Sequence, residues 1–114
     1  LTFCTGSFSS NRQNNITQMV EKFEDRIHFL QLRNTQYINE YEFIESGHLV
    51  GDVDMYSVIK TMTSQNRTIP MRPDHGIKIL NDKNRNANPG YPLVGRMKGL
   101  AELDGLEMGI RFES

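Results

Sequence analysis

"IPMRPDHGIKIL", residues 69–80, opens as a short apolar strand and closes on Arg72, Asp74 and His75, with Gly76 directly behind them. Burying such polar groups costs free energy unless they are paired or put to use. The same change of character recurs in two other stretches. "LTFC" (1–4) runs into Thr5, Gly6 and Ser7, and "RIHFLQLRN" (26–34) runs out through Arg33 into Asn34. Each apolar run therefore turns polar at its C-terminal end. In α/β barrels and in open doubly wound sheets, ligands bind at that edge.

Between these strands the periodicity changes. "NITQMVEKFED" sets Ile16, Met19, Val20 and Phe23 at helical spacing, with Asn14 or Asn15 available as N-cap. Asp54 can cap a second helix, whose Met55, Val58, Ile59 and Met62 form one stripe. The segment from Pro92 to about Phe112 carries Leu93, Val94, Met97, Leu100 and Ala101 on one side, and it reads as one or two helices broken near Gly105 or Gly109. Strands are expected at 1–4, 26–34 and 68–74, the last with an imperfect ladder at Pro70. In the second, Ile27, Phe29, Gln31 and Arg33 share one face, while His28, Leu30 and Leu32 share the other. Apolar residues on both faces suit a strand covered on both sides. Residues 34–53 form a polar and aromatic connection too long for a simple turn and so a candidate for function. The order strand, helix, strand, helix, strand, helix predicts parallel strands with right-handed crossovers in a single domain spanning 1–114.

Composition narrows the function. Thirteen basic and 14 acidic residues leave a formal net charge of −1, which supplies no field for nucleic acid or an anionic membrane. No apolar run approaches the roughly 18 to 20 residues of a membrane span, and no secretory leader is visible, so a soluble, cytoplasmic protein is expected. The single cysteine, Cys4, has no internal disulfide partner. Because the chain opens at Leu1 inside a strand, it reads as a piece of something longer.

Cys4, Asp74 and His75 offer thiolate, carboxylate and imidazole, a mixed donor set suited to manganese, iron or zinc. The alternative is a buried inert thiol, a turn-capping aspartate and a surface histidine. Arg72 shares strand parity with Asp74. It can clamp a substrate carboxylate or pair with Asp74 itself. Gly76 lets backbone approach closely or completes a turn. "NPGYP" (88–92) delivers Tyr91 to a rim, where its phenol either packs or moves protons. His28 reads as satisfied against a helix, and His48 is open. Gly95 and Gly99 suggest a close helix contact. No P-loop or GxGxxG is present, and Ser7 lacks the GxSxG context of a serine nucleophile.

Taken together, "LTFCTGS", "DRIHFLQLRN", "HLVGDVDMY", "IPMRPDHG" and "NPGYPLVGRMKGLAELDGLE" closely resemble, in order and spacing, the C-terminal part of the mannonate dehydratase family. The matches are weakest in 8–20, 35–46 and 63–67. The resemblance implies about three units of a xylose-isomerase-like, TIM-type (β/α)8 barrel that binds Mn²⁺ or Fe²⁺. It also implies dehydration of D-mannonate to 2-keto-3-deoxy-D-gluconate in hexuronate breakdown. Carried over, Cys4 and Asp74 fall on metal ligands and His75 and Tyr91 on the acid/base pair, while Arg72 and Arg33 are assigned to the substrate. A further family ligand is a histidine where this chain has Gln31, which is neutral and a weaker ligand for iron. Another ligand histidine is expected upstream. A whole barrel needs about 250 residues, so a fragment is expected to be inactive alone and to self-associate into a homo-oligomer. Two other readings stay open: a non-catalytic remnant or assembly module of that barrel, and a metal-dependent sugar isomerase on the same fold.

Overall fold

Phe3, Leu30 and Met71 belong to three short extended segments that pair side by side. The computed structural model describes residues 1–113. In chain order it contains β1 (Thr2–Cys4), α1 (Thr5–Ser9), α2 (Ile16–Phe23), a 3₁₀ turn at Glu24–Arg26, β2 (Phe29–Gln31), β3 (Thr35–Tyr37), β4 (Phe43–Glu45), α3 (Met55–Thr63), β5 (Met71–Arg72), a 3₁₀ turn at Leu80–Asn84 and α4 (Leu93–Glu113). One sheet has the order β1-β2-β5 with both pairings parallel, as the alternation of strands and helices predicts. Its strands are shorter than the sequence suggests. Pro70 and Pro73 have no N–H to give a ladder, and Asp74 turns to φ 62°, so the run expected at 68–74 contracts to Met71–Arg72. Pro70 still contributes as an acceptor, its carbonyl taking the Leu30 N–H at 3.0 Å. At the other strand, Glu24–Arg26 is drawn into its 3₁₀ turn, and regular pairing of 26–34 is confined to Phe29–Gln31.

So few ladder bonds cannot hold the sheet; its side chains do. Phe3, Ile27 and Leu30 are fully buried, joined in one core by Val20, Val58, Ile59, Met62, Leu103 and Ile110 from the helices. Complete burial of one such side chain is worth about 1.5–3 kcal/mol, more than a typical net hydrogen bond. α3 packs between α2 and α4, and all four residues of its predicted stripe, Met55, Val58, Ile59 and Met62, are buried. Among the described residues no helix is long and apolar enough to cross a membrane.

The N-cap of α3 gives a direct test of local stability. Asp54 Oδ1 accepts the Ser57 N–H at 3.1 Å and Oδ2 accepts the Ser57 hydroxyl at 2.6 Å. The Ser57 hydroxyl first, and then its N–H, hold the Asp54 carboxyl below its ordinary value. A depressed carboxyl stabilises the folded state above its unfolded pKa, and that contribution disappears as pH falls through the folded value. Asp54→Ala is therefore expected to cost about 1 kcal/mol at neutral pH. In denaturant unfolding followed by circular dichroism, the gap between wild type and variant should narrow as the solution is acidified.

The structure refines three expectations. The connection at 34–53 is not merely a loop, because β3 and β4 pair antiparallel within it, with Thr35 opposite Glu45 and Tyr37 opposite Phe43. The C-terminal segment is one unbroken helix. Gly105 and Gly109 have open space where a Cβ would stand, so each costs helix propensity of about 1 kcal/mol without breaking the element. The predicted apolar side of α4 also faces outward: Leu93, Met97 and Leu100 are each more than half exposed. The packed side carries Gly95 and Gly99 in the first half of the helix and Leu103 and Ile110 further on. A Cβ at Gly95 would strike the Ile77 carbonyl and one at Gly99 the His48 ring, so only bare backbone can approach so closely there.

Candidate functional site

Register decides which residues meet. Cys4 is the Cα partner of Gln31, and Gln31 is the partner of Arg72, so the C-terminal ends of all three parallel strands lie in one row. Asp74 lies two residues beyond, its backbone in the left-handed region that aspartate enters at a cost. That turn aims a 5 % exposed carboxylate back at the row. Asp74 Oδ2 is 3.8 Å from Cys4 Sγ, and Oδ1 accepts from Arg72 Nη2 at 2.6 Å. Arg72 thus forms the ion pair with Asp74 that its strand parity allowed, and with a side chain 44 % exposed it keeps other N–H groups open.

His75 follows and joins two further groups. Its Nε2 is 3.1 Å from the Tyr91 hydroxyl and 3.8 Å from Asp74 Oδ2. Its Nδ1 is 2.7 Å from Glu45 Oε1. Tyr91 is presented by a turn in which Gly90, at φ 84°, runs against the His75 ring and accepts the Gly76 N–H at 3.0 Å. Any side chain at 90 would be strained by that φ and would collide with the imidazole. Arg96 Cζ lies 5.2 Å from the centre of the Tyr91 ring. The turn is anchored from behind by Asp82, a buried carboxylate that accepts the N–H groups of Val94 at 2.9 Å and Gly95 at 2.7 Å. Burial works to raise the Asp82 pKa, but the N–H donors of Val94, Gly95 and Ile79 outweigh it and hold it low.

Cys4, Asp74, His75, Tyr91 and Arg72 thus gather in one connected cluster. Arg33 joins it through Glu45, donating from Nε at 2.8 Å and from Nη2 at 2.5 Å to the same Oε1 that meets His75. Burial opposes the Arg33 charge, but the hydrogen bond and charge of Glu45, with smaller help from Cys4 and Asp74, hold its pKa above the ordinary value. Gln31 is beside Cys4 by register and is half-buried. The remaining histidines stand apart. His48 is buried and its Nε2 bonds the Pro73 carbonyl at 2.9 Å, a clamp behind Asp74. His28 is exposed and meets Arg67 at 3.0 Å instead of a helix. A separate cleft of about 600 Å³, lined by Arg12, Asn15, Tyr37 and Asp54, contains none of the clustered groups.

Two components escape a reading of the strand ends. Glu45 comes from the β3–β4 hairpin, whose sequence signal is the β-prone Tyr37, Ile38, Phe43 and Ile44 on either side of Asn39 and Glu40. Asn34, 1 % exposed, closes that hairpin onto the sheet with four hydrogen bonds, to Thr35, His48 and twice to Val53. The donors present fit part of a divalent metal site: a thiol and a carboxylate in contact, with an amide carbonyl in the next strand. Among the described residues no three His, Cys, Asp or Glu side chains converge on one point to complete it.

Parallel strands that bring thiol, carboxylate, imidazole and phenol to their shared C-terminal edge define a mixed α/β fold with the makings of an acid/base site. The sequence profile of the D-mannonate dehydratase (UxuA) family matches residues 1–113, and the chain belongs to that family. A mannonate dehydratase of Chromohalobacter salexigens is 48 % identical over 120 residues, which cover 97 % of this chain and 31 % of that protein. One of Marinomonas sp. is 43 % identical over 121 residues, again 97 % of this chain and 31 % of that protein. The crystal structure of mannonate dehydratase from Streptococcus suis serotype 2 superposes with a TM-score of 0.89 at 32 % identity, over 99 % of this chain and 33 % of that one. The chain thus spans about a third of the relatives it matches, and its three parallel strands do not close a barrel.

Proposed function

We propose that this chain forms the C-terminal part of a (β/α)8 barrel, and that the protein containing it dehydrates D-mannonate to 2-keto-3-deoxy-D-gluconate with the help of Mn²⁺ or Fe²⁺. One observation carries the reading. Residues spread from Cys4 to Tyr91 come into contact at the strand edge where such barrels bind substrate. Cys4 and Asp74, with Gln31 beside them, would hold part of the metal's ligand shell, and the remaining ligands would come from outside this chain. When bound, the metal supplies Lewis-acid stabilisation of negative charge developing next to the substrate carboxylate. The reaction removes the proton on C2 and expels the C3 hydroxyl. His75 and Tyr91, hydrogen-bonded to each other, are the groups that accept and deliver protons. Arg72 and Arg33 serve the substrate, Arg72 through the N–H groups that Asp74 leaves open.

Gln31 favours a second reading, a member of the fold with a weakened metal site, because a neutral carbonyl replaces an imidazole in the middle of the row. One experiment addresses both. The whole protein is incubated with D-mannonate and Mn²⁺, before and after chelation, alongside Gln31→His. Formation of the 2-keto acid, lost on chelation and restored by metal, is expected. No gain for Gln31→His means that glutamine serves as a ligand, whereas a large gain in metal affinity means that the native site is impaired. An isomerised product with no loss of water would replace the dehydratase reading with that of a sugar isomerase.

A further inference from the structure

Glu45 Oε1 stands at the meeting point of three donors: Arg33 Nε at 2.8 Å, Arg33 Nη2 at 2.5 Å and His75 Nδ1 at 2.7 Å. Arginine can only donate, so it fixes this oxygen as an acceptor, and an ionised carboxylate has no proton to give to an imidazole. The hydrogen shared with His75 therefore resides on Nδ1. In the neutral ring Nε2 then keeps its lone pair, 3.1 Å from the Tyr91 hydroxyl, which can donate to it. Among the described residues Glu45 is the only partner that Nδ1 meets. Nε2 faces Tyr91 and, at 3.8 Å, Asp74 Oδ2. Behind these groups stand Arg33 on Glu45, Arg72 on Asp74 and Arg96 on Tyr91. Among the described residues Glu45 Oε2 is buried with no hydrogen-bond partner, so the work of this carboxylate falls on Oε1, which joins Arg33 to His75.

We propose that Glu45 is a positioning residue that fixes His75 as the Nδ1–H tautomer and thereby divides the acid/base work, Nε2 of His75 accepting a proton and the Tyr91 hydroxyl donating one. This inference rests on the dehydratase reading above and adds to it. His75 Nε2 takes the proton from C2, and the C–H electron pair becomes the C2=C3 bond as the C3–O bond breaks. The departing hydroxide takes the Tyr91 proton and leaves as water. The phenolate then recovers a proton from the imidazolium across their hydrogen bond, so both side chains are reset. The enol rearranges to the 2-keto acid, with no other reagent consumed.

The test uses the full-length protein with ¹⁵N-labelled histidine, loaded with diamagnetic Mg²⁺, alongside kcat and KM for two variants. Wild-type His75 is expected to show a protonated Nδ1 and a bare Nε2. Glu45→Met, which fills the space but accepts nothing, should lose that signature and lower kcat by about 10²-fold, as expected when a catalytic imidazole loses its orienting carboxylate. Glu45→Gln keeps an acceptor oxygen fixed by Arg33, so it should retain the Nδ1–H signature and recover most of kcat. A wild-type ring protonated on Nε2, unchanged kcat in Glu45→Met, or Glu45→Gln as poor as Glu45→Met would each overturn the proposal. Should Glu45→Met fail to fold, the wild-type spectrum and Glu45→Gln still decide. A wild type that never dehydrates mannonate would sink the functional reading, while the tautomer measurement would still judge Glu45.

Discussion

In the whole protein, His75→Ala or Tyr91→Phe is expected to lower kcat for mannonate dehydration by at least about 10²-fold, the usual contribution of a positioned acid or base. The Tyr91→Phe change isolates chemistry from packing. Tyr91 is 40 % exposed, and its ring can keep its contacts with His75 and Arg96 while only the hydroxyl is lost. His75→Ala removes more, since it also leaves Glu45 without its imidazole partner. KM should change far less than kcat in the Tyr91 variant, because a proton donor acts on the transition state and adds little to ground-state binding. Steady-state rates with the 2-keto acid as readout provide the check. Near wild-type turnover in both variants would remove the pair from the mechanism.

Asn34→Ala is expected to be the most damaging single change to stability outside the apolar core. The Asn34 amide donates to the carbonyls of His48 at 2.8 Å and Val53 at 3.1 Å, and its Oδ1 accepts from the N–H groups of Thr35 and Val53, both at 3.0 Å. Alanine leaves these four buried backbone groups without partners. At about 1–3 kcal/mol for each group left unsatisfied, and with partial relaxation, a loss of about 3–5 kcal/mol follows. Urea unfolding with an unchanged slope would register it as a lowered midpoint. A loss below about 1 kcal/mol would mean that water replaces the amide. The effect should extend to catalysis, since Asn34 seats the hairpin that carries Glu45.

What the sequence discloses follows from which contacts are local. Asn15 and Asp54 cap their helices as read, because an N-cap bonds residues only three positions away. The alternation of strand and helix patterns discloses the parallel order, and the loss of apolar character after Cys4, Arg33 and Asp74 discloses the edge at which the strands align. The convergence of Cys4 with Asp74 depends on register and on one left-handed residue, which no periodicity reveals. Glu45 stays hidden for a related reason: its partners, Arg33 and His75, are 12 and 30 residues away, and only the fold brings them together. The orientation of α4 escapes the sequence pattern because apolar side chains are the usual guide to a buried face. In the first half of α4 the buried face is made by Gly95 and Gly99, whose contribution is the absence of a side chain, and only further on by Leu103 and Ile110.

The β3–β4 hairpin also bears on the order in which the molecule assembles. Its strands are joined by a short connection and can close in about 1–10 μs, as hairpins do. The parallel pairings β1–β2 and β2–β5 must wait for whole crossovers to be laid down, and such non-local contacts form slowly. The hairpin carrying Glu45 is local in the chain, whereas the contact it makes with His75 spans 30 residues and closes only when the loop bearing Asp74 and His75 docks beside it.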